Sequence, residues 1–196
     1  MKSADLQRIF LALTLPSHVQ GSLSALGKRL HDSGVAASWE RTEKMHITLR
    51  FLGAIDSATR QEAETRVARI AESTSEIDLV FHSLGAFPSP ERPRVIWAGA
   101  LPTAPLIGLM RQLESVSREC GLEPEQRRPH PHCTLGRVKA AHKNVNLTAL
   151  IKSITFDPIL TRASGVTLLK SVLHQGGSTY TTIQSYPFIR TRGTHD

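Results

Sequence analysis

Two short strings carry the chemistry this chain could do: "MHITLRFLG" from residue 45 and "PHCTLGRVK" from residue 131. Each places a histidine, one intervening residue, a threonine and a leucine in a stretch that reads as a β-strand. Alternate strand residues share a face, so His46 and Thr48 point to one side together, with Arg50 next in line on that side. Ile47, Leu49 and Phe51 fall on the other, fully apolar side. The same period pairs His132 with Thr134 and turns Cys133 and Leu135 toward a core, which makes Cys133 a small buried filler and not a nucleophile. A free imidazole titrates near pH 6.5, so one histidine can take a proton while another gives one at neutral pH. Two such faces brought together suit phosphoryl transfer without a metal. One imidazole would activate the attacking oxygen, the other would protonate the leaving oxygen, and the threonine hydroxyls would hold non-bridging phosphate oxygens.

Strands must carry those residues and helices must back them. The runs 6–15, 44–53, 77–87, 92–101, 165–173 and 179–189 read as strands, along with the "HCTLGRVK" segment. Those at 77–87 and 92–101 are joined by the proline-rich turn "PSPERP". Helices are expected over 17–34, 57–74 with Ser57 as N-cap, and 104–121, plus a short one in "NLTALIKSI". Val19, Leu23, Leu26 and Leu30 recur at helical spacing as one apolar stripe. Strand–helix–strand units recur in both halves, and each half holds one His-x-Thr strand. The expected fold is α+β and bilobal: two similar lobes, largely antiparallel sheets facing a central cleft, helices packed outside. Residues 1–189 would form this single domain, with 190–196 a frayed tail.

The totals narrow the function classes. With 196 residues, 40% hydrophobic and 21% charged, the chain has ordinary globular composition. No apolar run approaches the roughly 20 residues that span a bilayer, so no membrane partner is expected. The "IFLALTL" run reads as a buried first strand and not as a leader, because Asp5 precedes it and no small-residue cleavage pattern follows. A net charge of +7 favours an anionic partner. Two cysteines without CxxC spacing, Cys120 and Cys133, are consistent with a reducing cytoplasm.

The two motifs, with "RIFLALTLP", "ASWERTEKMHITLRFLG", "LGAFPSPERPRVIWAGA" and "QRRPHPHCTLGRVK", resemble the two-histidine (2H) phosphoesterases. More narrowly, they resemble the bacterial and archaeal RNA 2′,3′-cyclic phosphodiesterases, also called 2′-5′ RNA ligases. The resemblance implies two lobes related by a pseudo-two-fold axis and hydrolysis of 2′,3′-cyclic phosphate at RNA termini to a 2′-phosphomonoester. It further implies no metal and no cofactor, with RNA termini or cyclic nucleotides as partners of a monomer. By matching motifs, His46 is the general acid, His132 the general base, and Thr48 and Thr134 phosphate ligands. Arg137 matches the arginine that closes the second motif, but it needs a strand end or bulge near Gly136 to reach the cleft. The segment Pro129-His130-Pro131-His132 departs from the aromatic–basic–Pro–His pattern of the group, which puts one stacking contact in doubt. His130 and His132 have metal-ligand spacing without further ligands nearby, so His130 is read as a rim or phosphate contact.

Phe87 and Trp39 are candidates for base stacking, Tyr180 for a substrate contact, and Arg127 and Arg128 for an RNA entry path. Trp97 is read as core. His18, His31, His82, His142, His174 and His195 are read as ordinary positions. Other readings stay open from residues alone: 2′-5′ ligation, hydrolysis of small cyclic nucleotides or 2′-5′ oligonucleotides, or a non-catalytic RNA-end binding module.

Overall fold

The apolar run Ile9–Leu13 becomes the centre of β1 (Gln7–Thr14), buried throughout. The chain then alternates through α1 (Ser17–Asp32), β2 (Ala37–Trp39), a 3-10 turn at Thr42–Lys44, β3 (His46–Ile55), α2 (Ser57–Glu72), β4 (Ile77–Phe87) and β5 (Val95–Ala100). It continues through α3 (Ala104–Glu119), β6 (His132–Val138), α4 (Leu147–Ser153), β7 (Ile159–Ala163), β8 (Gly165–His174) and β9 (Gly177–Pro187). This computed structural model describes residues 6–139, 145–175 and 177–190. His142, His195 and all but the first residue of the expected tail lie outside them.

Among the described residues, nine strands form one curled antiparallel sheet in the order β7-β4-β5-β6-β3-β1-β8-β9, with β2 added beside β6. The order is symmetric about the β3–β6 junction. β1 on one side matches β5 on the other, and each is linked to its motif strand through a helix, α1 or α3. The two halves are therefore lobes of one sheet, and the helices fasten them together. α1 packs on β6 of the other half, while α3 packs on β3.

Two helices, α1 and α3, end where the chain supplies a left-handed glycine: Gly34 has φ 88° after α1 and Gly121 φ 75° after α3. The stripe Val19, Leu23, Leu26 and Leu30 faces the sheet and is buried. At α2 the cap is Asp56 and not Ser57. Its carboxylate accepts the Thr59 N–H at 2.8 Å, and that bond holds the Asp56 carboxyl below its usual range. Two short strands, β2 and β7, were not expected. Three residues in one case and five in the other are too few to show a period, and their pairing partners lie far along the chain.

One large core lies between the sheet and its helices and includes Ile47, Leu49, Cys133 and Leu135. The opposite face buries a small apolar cluster of Phe10, Ala12 and Leu169, with Tyr180 against it. That face is left for chemistry. Among the described residues, no helix is long and apolar enough to cross a membrane.

Leu23 is fully buried in the α1–sheet contact. Truncating it (Leu23→Ala) is expected to cost about 2–5 kcal/mol in urea unfolding, with the same slope on denaturant.

Candidate active site

The two motif strands meet at one registered pair, Ile47 opposite Cys133. Antiparallel register then sets His46 across from Thr134 and Thr48 across from His132, all on the face away from the helices. The histidines occupy diagonal corners, roughly 7–8 Å apart by β-sheet geometry, a spacing that brackets one phosphate group. Both Ile47 and Cys133 are fully buried beneath this square, and burial pushes the Cys133 thiol up to about 12. A thiol in that state is inert packing.

Both imidazoles are clamped in the same way. His46 Nδ1–H donates to the Lys44 carbonyl at 2.6 Å, and His132 Nδ1–H donates to the His130 carbonyl at 2.7 Å. A carbonyl only accepts, so Nδ1 must carry the proton in each, leaving Nε2 as the working nitrogen. The clamps are themselves anchored. Lys44 Nζ donates to the Ser178 carbonyl at 2.7 Å, and Pro131 next to His130 accepts the Ala100 N–H at 3.0 Å. His46 Nε2 lies 3.1 Å from Thr48 Oγ1.

Burial lowers the pKa of both histidines below the ordinary 6.5. Secondary influences differ between the two. The clamping carbonyl and the Glu40 carboxylate work against the lowering at His46. At His132 the clamp does so too, but the neighbouring imidazoles of His130 and His46 lower it further.

Each motif bulges after its threonine. In β3, Leu11 opposes Arg50 while the next residue, Ala12, opposes Thr48. In β6, Ile96 opposes Gly136 while Trp97 opposes Thr134. One extra residue in each strand, Leu49 and Leu135, reverses the alternation that follows. Two consequences correct the period-2 reading. Arg50 does not join His46 and Thr48. It is 8% exposed and forms an ion pair with Glu114 of α3 at 2.8 Å. Phe51 comes instead to the open face, half exposed, with its ring 5.5 Å from Phe10. The matching bulge in β6 puts Arg137 on the open face, exposed and opposite Val95.

Aromatic rings flank both histidines. Phe10 and Tyr180 lie 5.2 Å and 5.3 Å from the His46 ring, Tyr180 edge-on. Phe87 lies 4.9 Å from His132, while His130 packs 4.6 Å from Trp97 and 5.2 Å from Phe87. Trp97 is thus part of the site wall and not core. Its indole lies over Gly85 and Gly99, where a Cβ would collide with it. The alternation of β5 could have shown this, since Ile96, Ala98 and Ala100 fill the buried side. Trp39 goes the other way: it packs against Gly27 and Gly136 beside His31 and joins the main core instead of flanking the histidines.

From His132 and Thr48 a cleft of about 860 Å³ extends between β3, the β4–β5 turn, α3 and the loop leading into β6. Phe87 lines it beside His132, Phe51 and the arginines Arg94, Arg111, Arg127 and Arg128 line it too, and Glu114 and Glu125 add two carboxylates. Among the described residues, no three His, Cys, Asp or Glu side chains gather closely enough to hold a metal ion.

Residues 13–97 match the family model described as LigT like phosphoesterase. An RNA 2′,3′-cyclic phosphodiesterase of Aeropyrum pernix is 34% identical over 168 residues, covering 83% of this chain and 93% of that protein. Among solved structures, TT0787 of Thermus thermophilus superposes with TM-score 0.77 at 22% identity, over 92% of this chain and 97% of that one. E. coli LigT complexed with 3′-AMP superposes with TM-score 0.75 at 24% identity, over 93% and 98%. The chain belongs to the LigT-like phosphoesterase family, within the 2H superfamily.

Proposed function

We propose that this protein hydrolyses the 2′,3′-cyclic phosphate at RNA termini to a 2′-phosphomonoester, using its own side chains and no metal. The observation that carries this reading is the pair of identical backbone clamps, which leave two Nε2 atoms at diagonal corners of one four-residue square. His132 Nε2 takes a proton from water as the water oxygen attacks phosphorus. The P–O3′ bond breaks, and His46 Nε2–H protonates the departing O3′. The proton taken by His132 returns through solvent to restore His46. Glu40 favours the protonated state of His46, and the imidazoles around His132 favour its neutral state, which supports acid and base in that order.

Thr48 and Thr134 hold the non-bridging oxygens, and Arg137 supplies a guanidinium to neutralise them. Phe87 serves as a stacking surface for the terminal base, and the His130 carbonyl sets the orientation of the base catalyst. The relatives named RNA 2′,3′-cyclic phosphodiesterase support the substrate class. We place the enzyme, as a monomer, in the reducing cytoplasm, where its two free thiols persist.

Replacing either histidine by alanine is expected to lower kcat roughly 10²–10⁴-fold on an RNA ending in a 2′,3′-cyclic phosphate, with an unchanged melting temperature. Both variants keeping more than a tenth of the wild-type rate would refute the mechanism. Chelation with EDTA should leave the rate intact.

The pH dependence follows from the two lowered pKa values. Activity needs one imidazole protonated and one neutral, so kcat/KM should peak below pH 6.5. It should fall on the alkaline side as His46 loses its proton and on the acid side as His132 gains one. Glu40→Gln removes a charge that raises the His46 pKa, so its alkaline limb should move to lower pH. A rate still rising through pH 8 would contradict this assignment.

A further inference from the structure

Arg50 is a cation nearly withdrawn from solvent inside the first motif, yet it touches neither histidine. Besides its ion pair with Glu114, its Nη2 donates to the carbonyl of Glu123, beyond the end of α3. Glu114 in turn accepts the Glu125 N–H at 3.1 Å and the Arg118 guanidinium at 3.1 Å. Both ends of the segment Glu123-Pro124-Glu125 are thereby tied to one charge pair. Glu125 then accepts the Arg127 N–H at 3.0 Å, which passes the constraint to the next turn of the loop.

That loop forms the outer wall of the cleft and presents Arg127 and Arg128 to it. Arg94 and Arg111 line the same cleft, as do Glu114 and Glu125, and among the described residues none of these four arginines has an ion-pair partner. His132 does not depend on this wall, because Ala100 of β5 fixes Pro131 just before it.

Resting on the reading above, we propose that Arg50 and Glu114 are a positioning pair. They hold the segment 121–128 as a preset arginine wall that grips the phosphates upstream of the reacting terminus. The preferred substrate is then an oligonucleotide and not a cyclic mononucleotide. Removing either partner frees the loop, weakens the grip on the chain and leaves the reacting phosphate between its histidines.

The test compares wild type, Arg50→Met, Arg50→Lys and Glu114→Gln on an eight-nucleotide RNA ending in a 2′,3′-cyclic phosphate and on 2′,3′-cyclic AMP. Hydrogen exchange over residues 121–128 is followed in parallel. Arg50→Met should raise KM for the oligonucleotide about tenfold with kcat within about threefold, and KM for cyclic AMP should stay within about threefold. Exchange in the loop should accelerate. Arg50→Lys should recover part of the KM, since an ammonium still reaches Glu114. Glu114→Gln should give the smaller form of the same pattern, and it carries the test if Arg50→Met does not fold.

Equal losses on both substrates, a fall in kcat without a rise in KM, or unchanged loop exchange would each overturn the proposal. If wild type is inert on both substrates, the cyclic-phosphate reading fails, and loop exchange alone then decides whether the pair holds the wall.

Discussion

A single cross-strand pair, Ile47 against Cys133, joins the two halves of the sheet and sets the register of everything above it. A slip of one residue at this junction would turn the histidine and threonine of one motif into the core and bring that strand's apolar residues out to water, leaving the other motif alone on the open face. Four buried apolar side chains therefore enforce the position of four polar ones. The helices reinforce the arrangement by crossing the junction, α1 onto β6 and α3 onto β3. A pseudo-symmetric pair of halves acts as one rigid frame.

The frame also decides how the polar groups behave. Burial beside aromatic rings lowers both histidine pKa values, and the only full hydrogen bond offered to each Nδ1 is a main-chain carbonyl. Such a partner orients the ring without contributing a titratable charge, so the proton inventory of the site stays with the two Nε2 atoms. Symmetry is broken lightly, by Glu40 on one side and by His130 on the other. Small asymmetries suffice, because one pKa unit corresponds to about 1.4 kcal/mol between protonation states.

The chain's pattern made the motifs, the helices and the antiparallel α+β class readable, since each depends on local period and end signals. The stripe from Val19 to Leu30 and the stopping glycines Gly34 and Gly121 are of this kind. What period 2 could not convey was the bulge after Thr48. A bulge is imposed by a partner strand, and it exchanged the faces assigned to Arg50 and Phe51. The same device in β6 was foreseeable only because Arg137 had to reach the open face. The tryptophans were misplaced for a related reason: Trp97 lies over Gly85 of β4 and Gly99 of its own strand, Trp39 over Gly27 of α1 and Gly136 of β6, and that accommodation is a fact of the assembled fold. β2 and β7 are held by long-range pairing and left no local trace.

The account rests on two imidazoles flanking one phosphorus atom. A crystal structure with vanadate and a nucleoside bound as a five-coordinate mimic of the displacement tests this most directly. The account requires Nε2 of His46 and Nε2 of His132 at opposite apical oxygens, each at roughly 3 Å. A vanadium centre contacted by only one of the two rings, or by both from the same side, would contradict it.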